Sequence, residues 1–135
     1  MMQSDEFIET VRVRLHLESG ERAVKAIGTT LEMLGELLPE WDAAALASHL
    51  PAEIGKYLLT GRHSVGFGLH EFFRRISERE GSDIIDAEEH AQVVLAAIAE
   101  TITPEEIEDI LSELPNDFRI LFRTVAEGRK GYAIR

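Results

Sequence analysis

The stretch AVKAIGTTLEMLGELL at residues 23–38 decides the fold, because AEEHAQVVLAAIAETI at residues 87–102 repeats its pattern 64 positions later. In each stretch the shared positions are spaced by four, three, one, three and four residues. This spacing lays them along one side of an α-helix with 3.6 residues per turn. The positions are Ala23, Ile27, Thr30, Leu31, Leu34 and Leu38, matched by Ala87, Ala91, Val94, Leu95, Ile98 and Ile102. We therefore predict two equivalent amphipathic helices.

Helix ends recur at equivalent places in the two halves. Leu50-Pro51 is matched by Leu114-Pro115, and a proline ring suits the first turn of a helix but not its interior. The run from Thr103 to Glu106 has the pattern of a capping box with a first-turn proline. Repetition at a fixed period is typical of stacked, equivalent units. We predict an all-α fold of about eight helices, as two tandem four-helix repeats packed into one bundle-like domain.

A chain of 135 residues fits a single domain, and we predict that this domain spans 1–135. Repeat one covers about 4–60, a glycine-rich linker covers 60–68, repeat two covers about 69–126, and a basic tail covers 127–135. A four-helix unit of about 60 residues builds only a marginal core alone. We therefore expect the two halves to stack through their apolar sides.

The composition excludes several kinds of chemistry and partner. The absence of cysteine excludes disulfides, thiolate metal sites and a cysteine nucleophile. The net charge of −11 opposes contacts to phosphates and adsorption to anionic membranes. The first residues lack the basic and apolar regions of a secretory signal, and no apolar run reaches the roughly 18 residues of a membrane span. We expect a cytoplasmic protein that binds neither nucleic acid nor membrane.

The run from Leu31 to Pro39, followed by an alanine-rich run from Ala44 to Pro51, resembles the bacterial and archaeal family named domain of unknown function 2267. In that family a helix ends in Leu-Pro, a short alanine-rich helix follows, and a second Leu-Pro comes next. The second half of the pattern is matched by Leu114-Pro115 and Leu121-Phe122. The family usually has glutamine where this chain has His49. The resemblance implies an all-helical cytoplasmic protein, and it brings no established activity or catalytic residues.

No motif of an enzyme or cofactor site is complete in the sequence. Gly55-Lys56 continues into a tyrosine, whereas a phosphate-binding loop requires Ser or Thr at that position. Gly66-Phe67-Gly68 lacks the third glycine of a dinucleotide-binding turn, because Glu71 stands in its place. We therefore predict that the protein is not an enzyme and that it has no cofactor.

The strongest candidate for a metal site is the group Asp86, Glu89 and His90, which share one side of a helix. Acidic residues are favoured at a helix start by the dipole in any case. We therefore prefer a capped, solvated surface, assign no metal ligands and leave the metal alternative open. His49, beside a Leu-Pro turn, is expected to be partly buried and to satisfy a helix-end carbonyl rather than to act as a ligand.

Three surface features are candidates for contact with a partner. Trp41 starts a short helix, where it is either an interhelical wedge in the core or an exposed anchor for a partner. The tail carries Arg129, Lys130 and Tyr132, which can fold back on the domain or bind in trans. The third helix of repeat two has an acidic side, which is either solvated surface or a dock for a basic partner. Its residues are Glu105, Glu106, Glu108, Asp109 and Glu113.

Two functions remain compatible with these features. The leading hypothesis is a non-catalytic protein–protein interaction or scaffold module, with self-association as one form of it. The alternative is a module that binds a small apolar ligand between the two repeats, because helical bundles host pockets between their helices.

Overall fold

The computed structural model describes residues 3–60 and 66–122, which form seven α-helices, one 3-10 helix and no strand. In chain order they are α1 (Ser4–Arg14), α2 (Gly20–Leu37), α3 (Glu40–Ala47), α4 (Ala52–Gly55), the 3-10 helix (Lys56–Leu59), α5 (Leu69–Glu80), α6 (Ile84–Ala99) and α7 (Pro104–Ser112). Residues 118–122 are also helical. Within these ranges no helix combines the length and the apolar character needed to cross a bilayer. The prediction of an all-α fold is confirmed.

Helices of the two halves begin at corresponding positions. α2 begins at Gly20 and α6 at Ile84, while α3 begins at Glu40 and α7 at Pro104, so each pair is offset by 64 residues (84 − 20 and 104 − 40). The segment that follows Leu50-Pro51 in the first half consists of two short helices, α4 and the 3-10 helix. After Gly55 the single turn of α4 tightens into the 3-10 helix. The tandem duplication and the domain limits remain predictions from the sequence.

The core is one continuous hydrophobic cluster to which both halves contribute. α2 lies in contact with α1, α5, α6 and the 3-10 helix, and it is buried on most of its circumference. Of the twelve positions shared by the two opening stretches, eleven are buried and Ile102 is partly buried. Apolar area removed from water contributes about 25 cal/mol per Å². This shared core is therefore the main source of stability.

A row of ion pairs joins α5 to α2. Arg75 and Arg79 on α5 lie 3.5 and 3.3 Å from the carboxylate of Glu36 on α2. Within α5, hydrogen bonds from Arg74 and then from Arg75 lower the pKa of Glu71 to about 2. Exposed pairs of this kind contribute about 0–1 kcal/mol each. The row therefore adds far less to stability than the core does.

Candidate functional site

Two clefts open between the halves of the molecule. The polar cleft has a volume of about 870 Å³ and is lined by Leu15, Leu17, Arg22, Lys25, Ala26, Glu80, Gly81, Ser82, Asp83, Asp86, Glu89 and His90. The α3–α7 groove has a volume of about 230 Å³ and is lined by Trp41, Asp42, Ala45, Leu46, His49, Ile102, Glu106, Asp109 and Ile110. Each cleft therefore takes its walls from both halves.

Many of the lining residues form pairs that stand 64 positions apart in the chain. In the polar cleft, α2 and α6 supply three of the pairs, and a fourth, Leu17 with Gly81, lies in the turns before these helices; in the groove, α3 and α7 supply every pair. The pairs within helices are Arg22 with Asp86, Lys25 with Glu89 and Ala26 with His90 in the polar cleft, and Asp42 with Glu106, Ala45 with Asp109 and Leu46 with Ile110 in the groove. Both clefts thus lie where corresponding helices of the two halves come together.

The first wall of the groove is α3. Its buried side is carried by Ala43 and Leu46, and Leu46 forms the base of the groove together with Ile110 of α7. Trp41, in the first turn of α3, is 83% exposed at the edge of the groove. The interpretation of Trp41 as an interhelical wedge is wrong, because the small Ala43 and the adjacent Leu46 already fill the buried side of this short helix. Trp41 instead holds a large aromatic surface in water.

The second wall is α7, whose start matches the capping box predicted from the sequence. The Thr103 hydroxyl accepts a hydrogen bond from the Glu106 N–H at 3.2 Å, and Glu106 Oε1 accepts one from the Thr103 N–H at 2.8 Å. The other carboxylate oxygen of Glu106 contacts His49 Nε2 on the α3 side. The backbone hydrogen bond from Thr103 is the main cause that lowers the pKa of Glu106, and the His49 charge adds to it. The predicted role of His49 as a partner of a helix-end carbonyl is therefore wrong, since its ring faces this carboxylate.

The acidic side of α7 extends from the groove onto the outer surface. Glu108 forms an ion pair with Arg119 at 3.1 Å. In the part of the chain that the structure describes, Glu105, Asp109 and Glu113 are exposed and have no ion pair or side-chain hydrogen bond. Among the described residues, these three carboxylates at the groove and its border therefore have no positively charged partner.

In the polar cleft the most buried ionisable groups are Glu80 and His90. Gly81, with a φ of 70°, ends α5 in the left-handed conformation that favours glycine. The chain then reverses, so that the last residue of α5 faces the second turn of α6. His90 Nδ1 lies 3.0 and 3.2 Å from the two carboxylate oxygens of Glu80, and the two side chains are only 18% and 5% exposed. The hydrogen bond to Glu80 is the main cause that raises the pKa of His90, with smaller contributions from the charges of Asp86 and Glu89.

The rims of the polar cleft carry opposite charges. Arg22 and Lys25 stand on α2, whereas Asp86 and Glu89 stand at the corresponding positions of α6. No ion pair joins the two rims in the described ranges. The cleft therefore separates a basic wall from an acidic one.

A comparison with protein families matches residues 4–121 to the family described as uncharacterized conserved protein (DUF2267). The chain belongs to the DUF2267 family. The resemblance seen in the sequence is thus confirmed, and the matched range contains every residue that lines the two clefts. A search of curated proteins finds no match to the chain.

The metal candidate of this DUF2267 chain is not assembled as the sequence interpretation required. His90 turns toward Glu80, and no group of three or more His, Asp or Glu side chains within residues 3–60 and 66–122 is arranged to hold a metal ion. Sequence reasoning missed Glu80 because ten positions separate it from His90 (90 − 80) and a glycine turn intervenes. The available signal was Gly81 itself, since a left-handed glycine commonly ends a helix and so predicts a turn between Glu80 and α6.

Of the four residues predicted to contact a partner, only Trp41 lies in the described part of this DUF2267 chain. Arg129, Lys130 and Tyr132 lie outside the described residues. The structure therefore places Trp41 at a groove with an acidic border. The contribution of the tail to partner binding stays a prediction.

Proposed function

We propose that the protein is a non-catalytic interaction module whose α3–α7 groove binds a basic, partly apolar segment of a partner protein. The observation that carries the proposal is the 83% exposure of Trp41 beside an apolar groove floor. Tryptophan is enriched among the residues that dominate binding energy at protein interfaces. Its ring buries a large apolar area and attracts cations over its face.

The charge of the groove supports a basic partner segment. Asp42 and Asp109 line the groove, and Glu105 and Glu113 lie on the same acidic side of α7. Opposite charge at the border of an interface speeds association and rejects partners of the same sign. The groove thus disfavours phosphate backbones and anionic lipid headgroups, which agrees with the expected absence of nucleic-acid and membrane partners.

The size of the groove favours a protein segment over a small apolar ligand. Its volume of about 230 Å³ is below the roughly 300–1,000 Å³ typical of small-molecule sites. A peptide can lie along the groove and cover Trp41, whereas a small ligand in the groove would leave most of the indole in water. We therefore place the ligand-binding alternative second.

The proposal can be tested with a fluorescently labelled leucine–lysine peptide that forms an amphipathic helix, with the matching leucine–glutamate peptide as the charge control. Binding of each peptide to the full chain is measured by fluorescence anisotropy. We expect the lysine peptide to bind and Trp41→Ala to weaken binding about tenfold or more. Because Trp41 is exposed, the substitution should change the free energy of unfolding by less than about 0.5 kcal/mol.

Matched variants on another surface make the test specific. Ile85→Ala removes an exposed apolar side chain at the start of α6, and Glu88→Lys adds the same charge change as Asp109→Lys but outside both clefts. We expect Asp109→Lys to weaken binding of the lysine peptide more than Glu88→Lys does. Equal binding of both peptides, or equal effects of Trp41→Ala and Ile85→Ala, would show that the groove is not the binding site.

A further inference from the structure

We infer that residues 127–135 of the same chain occupy the α3–α7 groove when no partner is bound, so that the protein inhibits its own binding site. This inference rests on the groove being the site described under the proposed function. The segment lies outside the described residues.

The composition of the segment is complementary to the acidic and apolar lining of the groove. It carries Arg129, Lys130 and Arg135, interspersed with the apolar or aromatic Tyr132 and Ile134. When a basic side chain of the segment pairs with the groove carboxylates, its apolar neighbours in the segment can cover the exposed indole of Trp41. Arginine and lysine are also attracted to the face of tryptophan. In a chain with a net charge of −11, this segment is locally basic.

The described chain ends at Phe122, three residues after a contact with α7. Arg119 is paired with Glu108 of α7 at 3.1 Å, so the helical residues 118–122 lie beside α7. The next residue of α7, Asp109, lines the groove. Reaching the groove from there means passing about one helix diameter, roughly 10–12 Å. The seven residues from Phe122 to Arg129 span up to about 23 Å when extended, which is sufficient.

Tethering makes even a weak contact effective. A segment tethered to its site within the same chain has an effective concentration on the order of millimolar there when the tether is short. A partner must then compete with the segment, and its apparent dissociation constant rises by the inverse of the fraction of open grooves. If about one molecule in ten is open, the apparent affinity for a partner falls about tenfold.

The fluorescence of Trp41 tests this inference directly, because Trp41 is the single tryptophan of the chain. Indole emission moves to longer wavelength as the ring becomes hydrated. The full-length variant Arg129→Glu/Lys130→Glu should therefore emit at longer wavelength than the wild type. The control Arg22→Glu/Lys25→Glu reverses the same number of charges at the polar cleft, and it should leave the emission maximum unchanged. Equal emission from the wild type and the tail variant would overturn the inference.

Charge exchange adds a second and independent readout. The groove variant Asp42→Lys/Asp109→Lys should lose the contact with the native tail. Combining it with Arg129→Glu/Lys130→Glu should restore the wild-type emission maximum. Failure of the combined variant to recover would count against direct contact between tail and groove. A wild-type emission maximum that moves with protein concentration would indicate docking between two molecules and would contradict occupancy within one chain.

The leucine–lysine peptide separates this inference from the proposed function. If both hold, the tail variant Arg129→Glu/Lys130→Glu binds the peptide more tightly than the wild type. If the emission maxima coincide while both proteins bind the peptide equally, tail docking is wrong and the groove remains a binding site. If the emission shifts but neither protein binds the peptide, the tail occupies the groove and the proposed partner class is wrong.

Discussion

The backbone carbonyl of Leu58 lies so close to Gly35 that a Cβ atom at residue 35 would come within 2.4 Å of its oxygen. The carbonyl carbon and Cα of Leu58 would lie at 3.1 and 3.3 Å. Two helical turns earlier, a Cβ atom at residue 28, which is also glycine, would come within 3.0 Å of the ring of Tyr57. Two glycines on one side of α2 therefore allow the 3-10 helix to approach the backbone of α2 directly.

This contact predicts the effect of Gly35→Ala. Alanine favours helix over glycine by about 0.5–1 kcal/mol, but here its methyl group meets backbone atoms that cannot rotate away. We expect a loss of about 1–3 kcal/mol in the free energy of unfolding, as for other overpacked sites, measured by urea denaturation. Gly20→Ala is the control, because its methyl group would meet only Ile8 at an ordinary 3.8 Å. Equal stability of Gly35→Ala and Gly20→Ala would show that the 3-10 helix shifts at little cost.

For Thr30 we predict the opposite effect, a gain in the free energy of unfolding on substitution. It is fully buried in α2, and its hydroxyl has no hydrogen-bond partner in the described part of the structure. The position that corresponds to it in the second half is the fully buried Val94. Replacing a buried, unsatisfied hydroxyl with a methyl group of similar shape removes a desolvation penalty of about 1–3 kcal/mol. We expect Thr30→Val to raise the free energy of unfolding by about 1 kcal/mol, and a lower midpoint in urea would contradict this.

The sequence was sufficient for the fold because the apolar spacing of 3.6 residues and the proline breaks reinforce one another. Ala23, Leu31 and Leu34 are all buried as their spacing predicts. Thr103 begins α7 through the capping box that its sequence indicates. These signals act within one or two turns of helix, so they can be read without knowing the tertiary structure.

The candidate site was harder to predict from the sequence than the fold, because its geometry depends on contacts between residues that are distant in the chain. Trp41 lies in a helix of eight residues, where the side that packs is set by neighbouring elements and not by a clear periodicity. His49 meets Glu106 across the groove, although 57 positions separate them (106 − 49). Pairs of this kind appear only once the two halves have been placed against each other.

A third prediction concerns Asp117, whose contact also joins residues that are distant in the chain. Its Oδ2 accepts a hydrogen bond at 2.8 Å from the N–H of Leu69, the first residue of α5. Gly68, which precedes α5, has no side chain to cap this helix, so Asp117 takes the role from 48 positions away. We expect Asp117→Ala to cost about 1 kcal/mol, the typical effect of losing a helix cap, as measured by urea denaturation.

Asp117→Asn is the matched variant, because it keeps a side-chain oxygen as acceptor while it removes the charge that favours a helix N-terminus. We expect it to lie between the wild type and Asp117→Ala in stability. If both variants are as stable as the wild type, the hydrogen bond to Leu69 contributes nothing to the folded state in solution.

The pair formed by Glu80 and His90 makes stability depend on pH. The imidazolium of His90 faces Glu80, Asp86 and Glu89, and this acidic surrounding raises its pKa, with the hydrogen bond to Glu80 as the main cause. A group whose pKa is raised by folding stabilises the protein fully below its unfolded pKa, about 6.5 for histidine. That contribution is lost as the pH rises through the folded pKa. The difference in unfolding free energy between the wild type and His90→Gln should therefore be larger at about pH 5.5, where His90 is protonated, than at about pH 9, where it is neutral.

Titration of His90 by NMR assigns the cause of this dependence. Glu80→Gln should lower the pKa of His90 strongly, because it removes the hydrogen-bonded carboxylate. Glu89→Gln should lower it less, since Glu89 acts only through its charge. The basic residues of the opposite wall, Arg22 and Lys25, line the same cleft. A His90 pKa that responds equally to Glu80→Gln and Glu89→Gln would mean that the buried pair does not persist in solution, and that the acidic wall as a whole sets the protonation of the cleft.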